Sequence, residues 1–261
     1  GSLTRWHFTR DASHLFLDAK GGNDETSVVI FDSSVDLIDD AYISANWNLV
    51  DVVDGESASY SFSSTGFSTS ANDLRFIIDA FSPFTQVYSS PRFGVQPEPH
   101  PNSAPLTITN NYQWGGLTAL YDAVQEGLDA VQDRPLARKA VVTMGDGEDN
   151  NSSLRIDEVI DNANDLGIAI YSIAFGVSGN AEDNLRRLGE ETGGDFASIA
   201  DADAEIELLR VFENIQFGIV FQYLAELASP GDLQPGDTIV MTLEYNGLST
   251  ERSFTLPVSG S

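Results

Sequence analysis

Cysteine is absent from the 261 residues, which excludes both a disulfide framework and thiolate metal ligation. That absence fits a reducing compartment and an exported prokaryotic protein equally well. Basic residues are scarce: 13 lysines and arginines stand against 40 aspartates and glutamates, for a formal net charge of -27. Nucleic acids and anionic membranes both need a basic surface, so neither is expected as a partner. Such a balance favours cations, basic partners or a plainly solvated acidic surface. No apolar run approaches the roughly 18 residues of a membrane span, and no secretory leader is recognisable. The histidines, His7, His14 and His100, show no metal-ligand spacing, and His14 is expected as a partly exposed surface residue. Nucleophile elbows of the G-x-S-x-G kind and phosphate loops of the G-x-x-x-x-G-K-[ST] kind are missing too. No enzymatic activity is expected.

What is present describes a globular chain. Hydrophobic residues make up 41% and charged residues 20%, enough for one large domain with a small appendage. Apolar spacing predicts helices over Thr9–Ala19 and Ala71–Phe81, a strand over Ser27–Phe31 and an edge strand over Ser34–Ile38. The Ser- and Thr-rich stretch Ser57–Ser70 reads as an exposed strand pair or a loose loop. Six of the ten prolines fall between Ser82 and Tyr112, so that stretch is expected as a long insertion, either a recognition loop or a disordered segment.

The regular part follows. Helices are predicted over Leu117–Val131, Leu154–Leu166, Ala181–Thr192 and Asp203–Glu226, and strands over Ala140–Met144, Ile168–Phe175 and Phe196–Ile199. Strands alternating with helices at this spacing mean βαβ units: an α/β fold with a doubly wound, mostly parallel sheet flanked by helices. Ser229-Pro230-Gly231 breaks the pattern. Thr238–Tyr245, the turn signal Asn246-Gly247 and Ser253–Val258 then predict a C-terminal β hairpin, or the start of a β-sandwich segment. The expected domains are 1–227 and 228–261.

The chain is organised around Lys139–Asn151, KAVVTMGDGEDNN. Its short apolar run suits a strand buried on both faces, and Gly145-Asp146-Gly147 turns sharply at the strand's carboxyl end, where open α/β sheets bind ligands. Trp114–Tyr121 closes a loop and opens a helix, so Thr118 is expected to converge on the same edge. A hydroxyl and a carboxylate are hard donors suited to Mg²⁺, Ca²⁺ or Mn²⁺. Each also has a plain structural reading: Thr118 as a helix cap and Asp146 as an Asx-turn. Asp146, Glu148, Asn150 and Ser152 alternate as in a calcium loop, but Asn151 stands where the turn glycine belongs and Asp157 where the closing glutamate belongs.

Taken together, GGLTALYDAV, KAVVTMGDGEDN and GIAIYSIAFGV, with a strand after TGGDF, resemble the von Willebrand factor A family. RDASHLFLDAKGGNDETSVVIFDSSV is similar to that family's first helix and second strand. The resemblance implies a metal-ion-dependent adhesion site built from three loops: a D-x-S-x-S motif after the first strand, a threonine and an aspartate. Thr118 matches the threonine and Asp146 the aspartate. D-x-S-x-S has no match, and Asp32-Ser33-Ser34 lies after the wrong strand with the wrong serine spacing. The site therefore reads as incomplete in this chain, and Glu148 and Asp149 are possible secondary metal residues.

The family's first strand is central, and its absence would leave backbone groups unpaired at about 1–3 kcal/mol each. Gly1-Ser2 has the look of a cloning remnant, so the favoured expectation is that the strand lies upstream. Supply by another chain or domain, and insertion of Ile239–Leu243, are the alternatives. The implied function is a metal-assisted protein-binding or adhesion module of an exported surface or secreted protein, extracellular or at the cell surface. Its implied ligand is a protein offering an acidic residue, and Tyr88, Phe93, Tyr112 and Trp114 are candidate partner-binding residues. A structural or assembly module with a vestigial site, or a non-catalytic accessory domain of a secreted hydrolase, are the other readings.

Overall fold

Seven consecutive apolar or small residues, AIYSIAF, form β7 (Ala169–Phe175), and all seven are buried. A strand of this kind needs cover on both faces, and the rest of the parallel sheet follows from it. The computed structural model describes residues 2–51, 56–57, 60–81, 88–89, 106–110, 116–145, 148–199, 210–215, 234, 236–245 and 248–255. In it β6 (Ala140–Gly145), β7 and β8 (Phe196–Ile199) pair in parallel in that order.

The side chains of β7 alternate between two cores. Ile170 and Ala174 pack with α4 (Leu120–Gln132), α5 (Ile156–Leu166) and α6 (Asn180–Glu190), through Val124, Leu128, Val159, Ala163, Leu185 and Leu188. On the other face Ala169, Tyr171, Ile173 and Phe175 pack with Ala12 of α1 (Ser2–Ala19) and with Phe212 and Ile215 of the helical residues 210–215. Helices on both faces of a parallel sheet make this the expected α/β architecture.

A third core includes two elements that periodicity did not show. α2 (Asp40–Asn46) is capped by Asp39, whose carboxylate accepts the Tyr42 N–H at 2.8 Å, and it buries Ile43. At seven residues it is too short to display a helical stripe. β3 (Trp47–Asp51) follows directly, and Trp47 packs with Tyr60, Phe76 of α3 (Ala71–Ala80) and Phe81.

The stretch expected as a long loop over 82–112 contains two strands. β4 (Tyr88–Ser89) and β5 (Leu106–Asn110) join β3 in an antiparallel sheet of order β3-β5-β4. Leu106-Thr107-Ile108-Thr109 alternates with the period of a strand, a signal hidden by the prolines before it. His14 lies on the first helix, as expected, and is only partly exposed. It is half-buried between α1 and α3, with its Nε2 3.1 Å from the Asp79 carboxylate.

β1 (Val29–Phe31) and β2 (Val35–Leu37) form their own antiparallel ladder. α4 packs against β1, β2 and β6 alike, and Phe31 and Val141 border the same apolar cluster. No ladder joins β1 to β6, and among the described residues β6 pairs with β7 alone. Val141, Val142 and Met144 are accordingly only half-buried. Ile239–Leu243 does not enter this sheet. β9 (Thr238–Tyr245) is paired antiparallel along its whole length with β10 (Leu248–Thr255), which starts five residues before the predicted second strand. The chain divides into two units, Gly1–Gln222 and Tyr223–Ser261.

Candidate functional site

Helix α4 begins without a cap of its own. Ala119 stands at the N-cap and offers no side-chain oxygen, so the N–H groups of the first turn need partners from elsewhere. Two other loops supply them. The Thr118 N–H donates to Asn150 Oδ1 at 2.7 Å, Tyr121 N–H to Asp149 Oδ2 at 3.1 Å and Asp122 N–H to Ser152 Oγ at 3.0 Å. The Ala119 N–H donates to the carbonyl of Asp32, just past β1, at 2.7 Å.

The exchange is reciprocal. The Asp122 carboxylate accepts the N–H groups of Ser153 and Leu154 at 2.8 and 3.0 Å. The Thr118 carbonyl accepts those of Asn150 and Asn151 at 2.9 and 3.1 Å. Asn151 Nδ2 donates to the Ser33 carbonyl at 2.8 Å, tying in the loop after β1. The residues just past β1 and the 149–152 segment that follows β6 thus both meet the start of α4.

Of the predicted metal residues, Thr118 sits at this junction. Its backbone N–H and carbonyl are both engaged, it is half-buried, and its hydroxyl makes no hydrogen bond among the described residues. Asp146 lies outside the described residues, but Gly145 before it ends β6 and Glu148 after it is exposed. Asp149 is spent on structure: Oδ2 accepts from Tyr121 N–H and from Ser152 Oγ at 2.5 Å, and Oδ1 from Ser152 N–H at 3.3 Å. Asn150 and Ser152 both use side-chain oxygens to cap α4. Asp32, buried, closes an Asx-turn by accepting the Ser34 N–H at 2.9 Å. Among the described residues no group of three His, Asp or Glu side chains is arranged to hold a metal.

Of the candidate partner residues, Tyr88 pairs across β4 with Ile108. Phe93, Tyr112 and Trp114 lie outside the described residues. Sequence reasoning had not singled out Asp122, and had weighed Asn150 and Ser152 only as calcium ligands. The run Asp149-Asn150-Asn151-Ser152 ahead of α5 is rich in capping side chains, and that was the available signal. Burial, and then the nearby Asp149 carboxylate, raise the pKa of the Tyr121 phenol above its ordinary value, so it stays protonated at the base of the junction.

Comparison with known proteins adds to this geometry. The family model of the von Willebrand factor type A domain matches residues 105–213. A solved von Willebrand factor type A protein from Catenulispora acidiphila superposes with a TM-score of 0.51 at 11% identity, covering 82% of this chain and 38% of that one. Proximal thread matrix protein 1 from the mussel byssus gives 0.49 at 11%, covering 91% of this chain and 43% of that one. The hypothetical protein BatB from Bacteroides thetaiotaomicron gives 0.46 at 10%, covering 81% and 88%. This chain therefore spans well under half the length of the first two. No curated protein matches the sequence. A domain of the matched type is a protein-interaction or adhesion module, and among the described residues no helix is long and apolar enough to cross a membrane. Over residues 105–213 the sequence matches the von Willebrand factor type A domain, and the fold agrees with that match.

Proposed function

We propose that this chain is a metal-assisted protein-binding module of an exported surface or secreted protein, not an enzyme. Thr118 and Asp146 would hold a Mg²⁺, Mn²⁺ or Ca²⁺ ion, and an acidic side chain of the partner would complete its shell. One observation carries the reading: Thr118 is fixed through both backbone groups while its hydroxyl is unengaged among the described residues. A hard oxygen held in place at a strand-end junction suits an oxygen-loving cation. With Asp149 and Asp122 committed to backbone N–H groups, few carboxylates remain to neutralise the ion, which keeps it attractive to an outside acid. The aromatic residues Tyr88, Phe93, Tyr112 and Trp114 would set specificity on the partner's side.

The same commitment of carboxylates favours a second reading, a structural or assembly module whose metal site is vestigial. Titration with Mn²⁺ followed by electron paramagnetic resonance separates the two. Under the metal reading, Mn²⁺ binds weakly to this chain, and Thr118→Val and Asp146→Ala each weaken it further. A tight one-to-one complex abolished by Asp146→Ala would show that the site is already complete. Spectra unchanged at millimolar Mn²⁺, or binding indifferent to both variants, would favour the vestigial module.

A further inference from the structure

The junction between α4 and the 149–154 segment is built more heavily than a helix cap requires. One side-chain acceptor suffices for an ordinary N-terminus. Here Asn150, Asp149 and Ser152 take three donors of the turn, at Thr118, Tyr121 and Asp122. Asp122 returns the exchange by capping Ser153 and Leu154. The two segments lie about thirty residues apart in sequence, with separations of 28 to 32, and neither can shift without breaking the other's caps.

We infer that Asn150, Asp149, Ser152 and Asp122 are positioning residues that fix the orientation of the Thr118 hydroxyl at the start of α4. Asn150 is the direct holder, since its side chain and its backbone N–H bind the two backbone groups of Thr118. The other three lock the turn that Asn150 stands on. The purpose assigned to the lock rests on the metal reading above; its geometry does not. A cap alone would leave the orientation of the Thr118 side chain indifferent to residue 150. A positioning device makes that orientation depend on residue 150 while the sheet stays unaffected.

The test uses the 261-residue chain with three variants: Asn150→Leu, which deletes the acceptor, Asn150→Asp, which keeps it, and Ser152→Ala, which changes no charge. Amide exchange at Thr118 and Asp122, the Thr118 methyl chemical shift and Mn²⁺ affinity are measured for each. Losing one such acceptor is expected to speed exchange about tenfold at Thr118 in Asn150→Leu and at Asp122 in Ser152→Ala. The amides of β7 should stay unchanged, the Thr118 methyl should move, and Mn²⁺ affinity should fall several-fold. Asn150→Asp should restore the Thr118 exchange rate and methyl position. An unmoved methyl in Asn150→Leu overturns the inference, as does faster exchange with undiminished Mn²⁺ affinity. If the wild-type chain takes up no Mn²⁺, the metal reading fails by itself, and the positioning inference then stands or falls on the methyl shift and its recovery in Asn150→Asp.

Discussion

Thr192→Val tests the central sheet at a point where one hydroxyl replaces a strand. β8 is short and its pairing with β7 starts at Ser172 opposite Phe196, so the N–H groups nearer the start of β7 need other acceptors. The Ser172 N–H donates to the Asp195 carbonyl at 3.0 Å, and the Ile170 N–H to Thr192 Oγ1 at the same distance. Thr192 is 7% exposed, and its hydroxyl also donates to the Leu188 carbonyl at 2.6 Å. Gly194 lets the turn come this close, because a Cβ there would meet the Ile170 carbonyl. Valine keeps the volume but leaves a buried N–H unpaired, a cost of about 1–3 kcal/mol. For a chain of this size that lowers Tm by about 2–12 °C. Thr192→Ser keeps both hydrogen bonds and should lose about 1 kcal/mol or less, the worth of one methyl. Urea denaturation and exchange of the Ile170 amide report the effect. If Thr192→Val stays within about 0.3 kcal/mol of wild type with Ile170 still protected, the Thr192 hydroxyl does not continue the ladder.

Two further outcomes follow from ionisation. Burial raises the phenol pKa of Tyr42, Tyr60 and Tyr121, and nearby carboxylates push each the same way. The folded state therefore holds these protons more tightly than the unfolded chain. Their contribution to stability is intact below the ordinary phenol value of about 10 and is lost as pH rises through the folded values. Alkaline titration at 295 nm should show these three ionising together with the loss of circular dichroism; independent ionisation in a chain that stays folded would contradict their burial. At the acid end, a hydrogen bond from Arg187 Nη2 at 2.8 Å holds the Asp157 carboxyl below its usual range. That contribution is present above the ordinary carboxyl value and fades as pH falls through the folded one. Arg187→Leu should return the Asp157 titration, followed by carbon-13 NMR, toward the ordinary value, with little change in Tm at neutral pH because the pair is exposed. An Asp157 titration unmoved by that substitution would rule out the pairing.

What could be read in advance divides along physical lines. α4, β6, β7, α6 and β8 lie within a few residues of where apolar spacing puts them, because each buries a face against the same sheet and the burial is written locally. α2, β3 and β5 were missed for the opposite reason. Their stability comes from partners far along the chain, as when Leu49 of β3 faces Ile108 of β5, and no window of a dozen residues contains both. The candidate site shows the same division. Thr118 could be named from its own neighbourhood, whereas the acceptors that hold it lie across the sheet edge in residues 149–152.

Charge composition was the least direct guide. An excess of acidic residues at a turn invites a metal, yet Asp32, Asp122 and Asp149 at this edge all accept backbone N–H groups. Carboxylates set against the N-terminal turn of a helix are stabilised by its unpaired donors and by its dipole, so many acids near a strand end need not mean many ligands. The more telling feature at the junction is the Thr118 hydroxyl, which makes no hydrogen bond among the described residues although four side chains around it are committed, and the proposed metal site rests on that oxygen.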